Sequence, residues 1–107
     1  MKIDVFNDDI NRFCLTVMDP TDASYALFEE LGLQGGGYTW EGIAEVLIGR
    51  EMPKLRERLD IGAEADNMYV YCEDRRALEA LGKSLDRVAH DMHELRSILE
   101  NESNDIE

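Results

Sequence analysis

Asn67-Met68-Tyr69-Val70-Tyr71-Cys72 is the clearest strand in the chain, and the helical pattern after it decides the fold class. Its β-branched and aromatic side chains suit a pleated, half-buried surface. Asp74 then offers a helix cap, since its carboxylate can accept bonds from orphan amides of a first turn. Beyond it Leu78, Leu81, Leu85, Val88, Met92, Leu95 and Leu99 recur at spacings of three and four, the stripe of a helix packed on one side. That phase runs unbroken through Gly82, so periodicity alone predicts one long helix. With only about three heptads, the stripe reads as core-facing and not as a coiled-coil seam.

Working towards the N-terminus, Ile61-Gly62-Ala63-Glu64-Ala65-Asp66 reads as irregular. Before it, Trp40, Ile43, Ala44, Leu47 and Ile48 repeat at helical spacing, and Thr39 is the expected N-cap. Pro53 cannot donate a backbone hydrogen bond, so this helix should break between Gly49 and Met52. A second helical piece should then open with Pro53 in its first turn, carrying Leu55 and Leu59. Upstream of the loop Gln34-Gly35-Gly36-Gly37, a helix should start at Thr21 or Asp22 and stop at Gly32, with Tyr25, Phe28 and Leu31 on one face. Residues 13–18 (Phe-Cys-Leu-Thr-Val-Met) and residues 2–6 (Lys-Ile-Asp-Val-Phe) read as two strands. Asn7-Asp8-Asp9 would be the turn of their hairpin, and Asp19-Pro20 would close it. The expected fold is α+β, a small antiparallel or mixed sheet of about three strands packed against several helices.

The 107 residues suit one domain with a modest core, and the 44% hydrophobic content is ordinary for a globular chain. Charge is more informative. Twenty-four acidic residues against eleven Lys and Arg give a formal net charge of -13. Such a field repels phosphate backbones and anionic membranes, and it attracts basic partners. Direct nucleic-acid binding and membrane binding are therefore not expected. No signal peptide and no apolar run of transmembrane length is visible, so the expected location is cytoplasmic. Cys14 and Cys72 sit in apolar runs without CxxC spacing and read as buried thiols. A disulfide would require their two strands to be neighbours.

The residues that could carry chemistry support none. Gly35-Gly36-Gly37-Tyr38 precedes a helix, but it lacks the lysine of a phosphate-cradling loop and comes after a helix instead of a strand. The glycines read instead as a tight connection between helices, with Tyr38 and Trp40 anchoring the junction. His90 and His93 are three apart, yet a zinc site needs three or four ligands and no other histidine exists. Neither cysteine lies near an evident base, as a nucleophile would require. No catalytic residue, metal ligand or cofactor is assigned.

Three stretches together resemble a known family. They are residues 36–41 (Gly-Gly-Tyr-Thr-Trp-Glu) leading into residues 43–47, then Met52-Pro53-Lys54-Leu55, then residues 66–72 leading into Ala77-Leu78. Their order and spacing are similar to the bacterial polymorphic-toxin immunity proteins of family fifty-one, over roughly residues 12 to 100. Gly36, Gly37, Tyr38, Trp40 and Pro53 are the positions that match the family pattern. Thr39 stands where Asp is common, and either residue can cap a helix.

The resemblance implies a single immunity-type domain over residues 1–107, and composition makes the stretch after about residue 100 a frayed acidic tail. The resemblance also implies a break in the last helical region near His90, against the unbroken apolar phase. The implied function is neutralisation of a cognate toxin domain by tight binding without turnover. The alternative is a small acidic adaptor or regulatory domain whose partner is not a toxin. From charge, the expected partner-binding residues are Glu41, Glu45, Asp91, Glu94 and Glu100, facing a basic toxin whose association they would accelerate. Tyr38 and Trp40 are expected to be core anchors and not contacts.

Overall fold

In the computed structural model, which describes residues 2–9, 12–18, 22–65 and 67–101, four antiparallel strands form one sheet. The chain order is β1 (Lys2–Asp9), β2 (Arg12–Met18), α1 (Asp22–Glu30), α2 (Gly37–Glu51), a 3-10 helix (Pro53–Arg58), β3 (Asp60–Ala63), β4 (Met68–Cys72), α3 (Arg75–Ala89) and α4 (Met92–Asn101). In space the strands run β1-β2-β4-β3, so β4 enters between β2 and β3. Registers Leu15↔Val70, Val17↔Met68 and Ile61↔Val70 put these apolar side chains on one face. Ile3 and Val5, paired with Val17 and Leu15, continue that face onto β1. Helices α2 and α3 cover it, and α1 and α4 pack against each other beyond them. The α+β class stands, with four strands and not three.

The extra strand is β3, in the stretch read as irregular. Gly62 leaves its outer position empty, and the Tyr69 ring lies where a side chain would be. Glu64 N–H donates to the Asn67 carbonyl at 2.8 Å and closes the tight turn into β4. At the N-terminus, β1 continues through Asn7 to Asp9, with a bulge there where a turn was expected. Asp19-Pro20, Thr21 and the tail from residue 102 lie outside the described residues.

Helix α1 ends as expected at Gly32, whose φ of 73° is the left-handed conformation that glycine adopts without strain. Its buried face is Ser24, Leu27 and Phe28, and Tyr25, expected beside Phe28, is 48% exposed. Helix α2 begins at Gly37, two residues before the expected cap, with Gly36 as N-cap. Thr39 is buried inside the first turn, where its hydroxyl accepts the Gly35 N–H at 3.1 Å. That start fixes the phase: Trp40, Ile43, Ala44, Leu47 and Ile48 are buried, whereas Tyr38 points away from the stripe and is 45% exposed. Trp40 is therefore a core anchor and Tyr38 is not. The Trp40 ring meets Phe28 edge-on at 5.6 Å, joining α1 to α2.

Gly37 is where the glycine loop matters. Its N–H donates to the Ala65 carbonyl at 3.1 Å. A Cβ on it would overlap the carbonyl oxygens of Glu64 and Asn67. The loop thus lets the start of α2 lie directly on the β3–β4 turn, as a packing junction between backbones. Pro53 opens the 3-10 helix after α2 ends at Glu51, as its missing N–H requires. Asp74 caps α3 by accepting the Arg76 N–H at 2.9 Å.

The last helical region breaks at His90 and Asp91. Asp91 Oδ1 accepts the Glu94 N–H at 3.1 Å, so a side-chain cap starts α4. Leu95, Ile98 and Leu99 nevertheless stay in the core reached by Leu81, Leu85 and Val88.

Candidate functional site

The five acids expected to meet a partner lie on α2 and around α4, and all of them are engaged within the chain. Glu45 is 3.7 Å from Arg56 of the 3-10 helix. Asp91 caps α4. Glu94 takes two hydrogen bonds from Arg87, at 3.0 and 3.2 Å. Glu100 accepts from Arg96 at 3.2 Å, and Arg96 also binds Glu30 of α1. Glu41 is half-buried on the first turns of α2.

Arg87 is the hub of the densest of these networks. Its Nη1 and Nη2 donate to Glu51 at 3.2 and 2.6 Å, while Ser84 Oγ donates to the same carboxylate at 2.9 Å. The Arg87 hydrogen bonds hold the Glu51 carboxyl below its ordinary value of 4.5, and the Ser84 bond adds to this against the opposing effect of burial. Hydrogen bonds to Glu51 and then Glu94 push the Arg87 guanidinium still further up. The charge sites also suit the helix dipoles, with Arg87 in the last turn of α3 and Glu94 in the first turn of α4.

The histidines and cysteines are placed separately. His90 and His93 are exposed, with His90 Nδ1 2.8 Å from the Asp86 carbonyl oxygen. Among the described residues no three His, Cys, Asp or Glu side chains are grouped to hold a metal ion. Cys14 and Cys72 are both buried and free. Their strands are neighbours, but Cys14 pairs with Tyr71 and Cys72 with Phe13, so the thiols point to opposite faces of the sheet. That geometry forbids a bond between them.

Cys14 identifies the surface that sequence reasoning missed. It lies on the sheet face opposite α2 and α3, yet it is only 2% exposed. Its register neighbours on either side are Phe6 and Tyr71. Phe6 is 44% exposed, and Tyr69 packs edge-on to Tyr71 with ring centroids 5.7 Å apart. The Arg12 guanidinium lies 4.4 Å over the Tyr71 ring, a cation–π contact. The open face of an antiparallel sheet is ordinarily polar, and here its centre is aromatic. Asp4, Thr16 and Asp60 also occupy outward positions, in register with Thr16, Tyr69 and Tyr71 respectively.

At one end this face runs into a groove of about 320 Å³ lined by Arg12, Glu57, Arg58, Asp60, Tyr71 and Glu73. Arg58 is 3.9 Å from Asp74, while Glu57, Asp60 and Glu73 have no ion-pair partner among the described residues. No described helix is long and apolar enough to cross a membrane.

No curated protein and no solved structure matches the chain. Residues 4–104 match the family described as immunity protein 51, a span that runs from within β1 past the end of α4. The chain belongs to the immunity protein 51 family.

Proposed function

We propose that this protein neutralises a cognate toxin domain by binding it, without turnover, and so protects the cell that makes both. The observation that carries this reading is the family match over residues 4–104, from within β1 past the end of α4. The unit proposed to act is the single domain, with its acidic tail beyond α4. Its net charge of -13 favours a basic toxin and would speed encounter with one. Glu41, Glu45, Asp91, Glu94 and Glu100 add to that field from positions already held within the chain. The proposed place of action is the cytoplasm, whose reducing conditions suit two free thiols.

The test is co-expression with the toxic C-terminal domain encoded by the neighbouring gene. Restored growth, together with a stoichiometric complex on size exclusion, is the expected result. Continued killing in the presence of folded protein would overturn the reading.

A further inference from the structure

We propose that the toxin docks on the open face of the sheet, centred on Phe6, Tyr69 and Tyr71, and that it presents a basic surface there. This rests on the toxin-binding reading and names the site of that binding. Tyr and Arg are among the residues most enriched where a few side chains dominate binding energy at protein interfaces. Here Arg12 lies over the Tyr71 ring and Tyr69 packs edge-on against it, so these side chains are ordered before any partner arrives. Preordered aromatic side chains lose little conformational entropy on binding. The Tyr69 ring lies over Gly62, and strand register carries the row from Tyr71 through the covered Cys14 to Phe6.

Charge selects the occupant. The groove at the end of the face is lined by Glu57, Asp60 and Glu73, which lack ion-pair partners among the described residues, and by Arg12 and Arg58, which are engaged with the Tyr71 ring and with Asp74. By contrast Glu45, Glu94 and Glu100 are already paired within the chain. A lysine or arginine from the partner can reach the groove while an apolar neighbour lies on Phe6. Size is consistent with a centre and a rim. Four strands spaced by about 4.8 Å, over some six residues at about 3.3 Å each, present about 300 Å². A stable interface takes about 800 Å² from each partner. The aromatic face therefore serves as the centre, and the 3-10 helix with the groove supplies part of the surround.

The experiment measures affinity and rates for the C-terminal domain of the neighbouring toxin gene, with Phe6→Ser, Thr16→Arg, Asp60→Asn/Glu73→Gln and Glu45→Gln/Glu100→Gln variants. Phe6 is exposed and Thr16 half-buried on the outer face, and Trp40 emission verifies that each variant is folded. Phe6→Ser and Thr16→Arg should each weaken binding by roughly 30-fold or more, the size expected of a central contact. Asp60→Asn/Glu73→Gln should slow association several-fold at low salt and leave dissociation nearly unchanged. Glu45→Gln/Glu100→Gln, which weakens only the long-range field, should slow association less than the groove variant does and leave dissociation unchanged.

Wild-type affinity in Phe6→Ser and Thr16→Arg, with the complex still forming, would overturn the location and leave toxin binding intact. Unchanged association in the groove variant would overturn the basic occupant. A free protein that sediments as a dimer, made monomeric by Phe6→Ser, would give the face to a second copy and overturn the proposal. Failure of the unsubstituted protein to bind or rescue would remove the toxin reading and this proposal together.

Discussion

Arg87 grips Glu51 through both of its terminal nitrogens, at 2.6 and 3.2 Å, and so ties the end of α2 to the last turn of α3. Because Arg87 also holds Glu94, three helices meet at one guanidinium. The Glu51 carboxyl is lowered from 4.5, chiefly by Arg87. A lowered carboxyl contributes stability that is present above its unfolded value and is lost as pH falls through its folded value. Urea unfolding should therefore show Glu51→Gln less stable than the parent at pH 7, by about 1 kcal/mol for so exposed a pair. The gap should begin to close near pH 4.5 and vanish below the folded value. A gap that stays constant into that acid range would disprove the linkage.

Asp91 is expected to act on stability through α4, apart from any share it has in the charge field. It accepts the Glu94 N–H at 3.1 Å as the cap of that helix. Asp91→Ala should cost about 1 kcal/mol, and Asp91→Ser should recover most of it, because a hydroxyl can take the same bond. Thermal unfolding of the two variants beside a binding measurement separates the roles.

Two glycines of α2 should respond in opposite directions to the same change. Gly37→Ala pushes a methyl group into the carbonyls of Glu64 and Asn67 and should cost about 2–3 kcal/mol. Gly49→Ala meets only the flexible end of Arg56, at 3.9 Å, on an exposed helix surface. It should gain about 0.5–1 kcal/mol from helix propensity. Chemical denaturation followed by Trp40 emission reads both, since the chain has a single tryptophan.

Trp40 is 2% exposed, and its buried indole N–H lacks a hydrogen-bond partner among the described residues. Trp40→Phe removes that orphan donor while leaving a ring to meet Phe28. Its cost should be about 1 kcal/mol, against about 3–5 kcal/mol for Trp40→Ala. Circular dichroism through a urea titration provides the measurement, and equal losses in the two variants would refute the argument.

Where sequence reading succeeded, local chemistry and tertiary packing agreed. Residues 67–72, the Asp74 cap, the Trp40 stripe and the break before Pro53 are such places. It failed at β3 because Gly62 and Ala63 carry no strand-forming side chains, and the strand exists through its pairing with β4. The break near His90 was expected from the family resemblance and not from the apolar phase, since the spacing from Val88 to Met92 to Leu95 survives two non-helical residues. The signal was present as Asp91 three residues before Glu94, the pattern of a capped start. Tyr38 was misplaced because the cap is Gly36, three residues before Thr39, so that Tyr38 lies within the helix and not ahead of it. The aromatic face was illegible for a different reason. Phe6 is far in the chain from Tyr69 and Tyr71 and joins their face only through strand order.

That strand order also sets a clock. The β1–β2 hairpin emerges first during synthesis, but Leu15 and Val17 have no cover until β4 and α3 have been made. At about 5–20 residues per second, a ribosome takes roughly 5–20 s over a chain of this size. Throughout most of that interval the nascent chain has an unfinished sheet and an exposed apolar surface. Its stability arrives as a single late step and does not accumulate with length. Under the proposed toxin-binding role, molecules still being translated could not bind, and the stock of finished ones would set the protection.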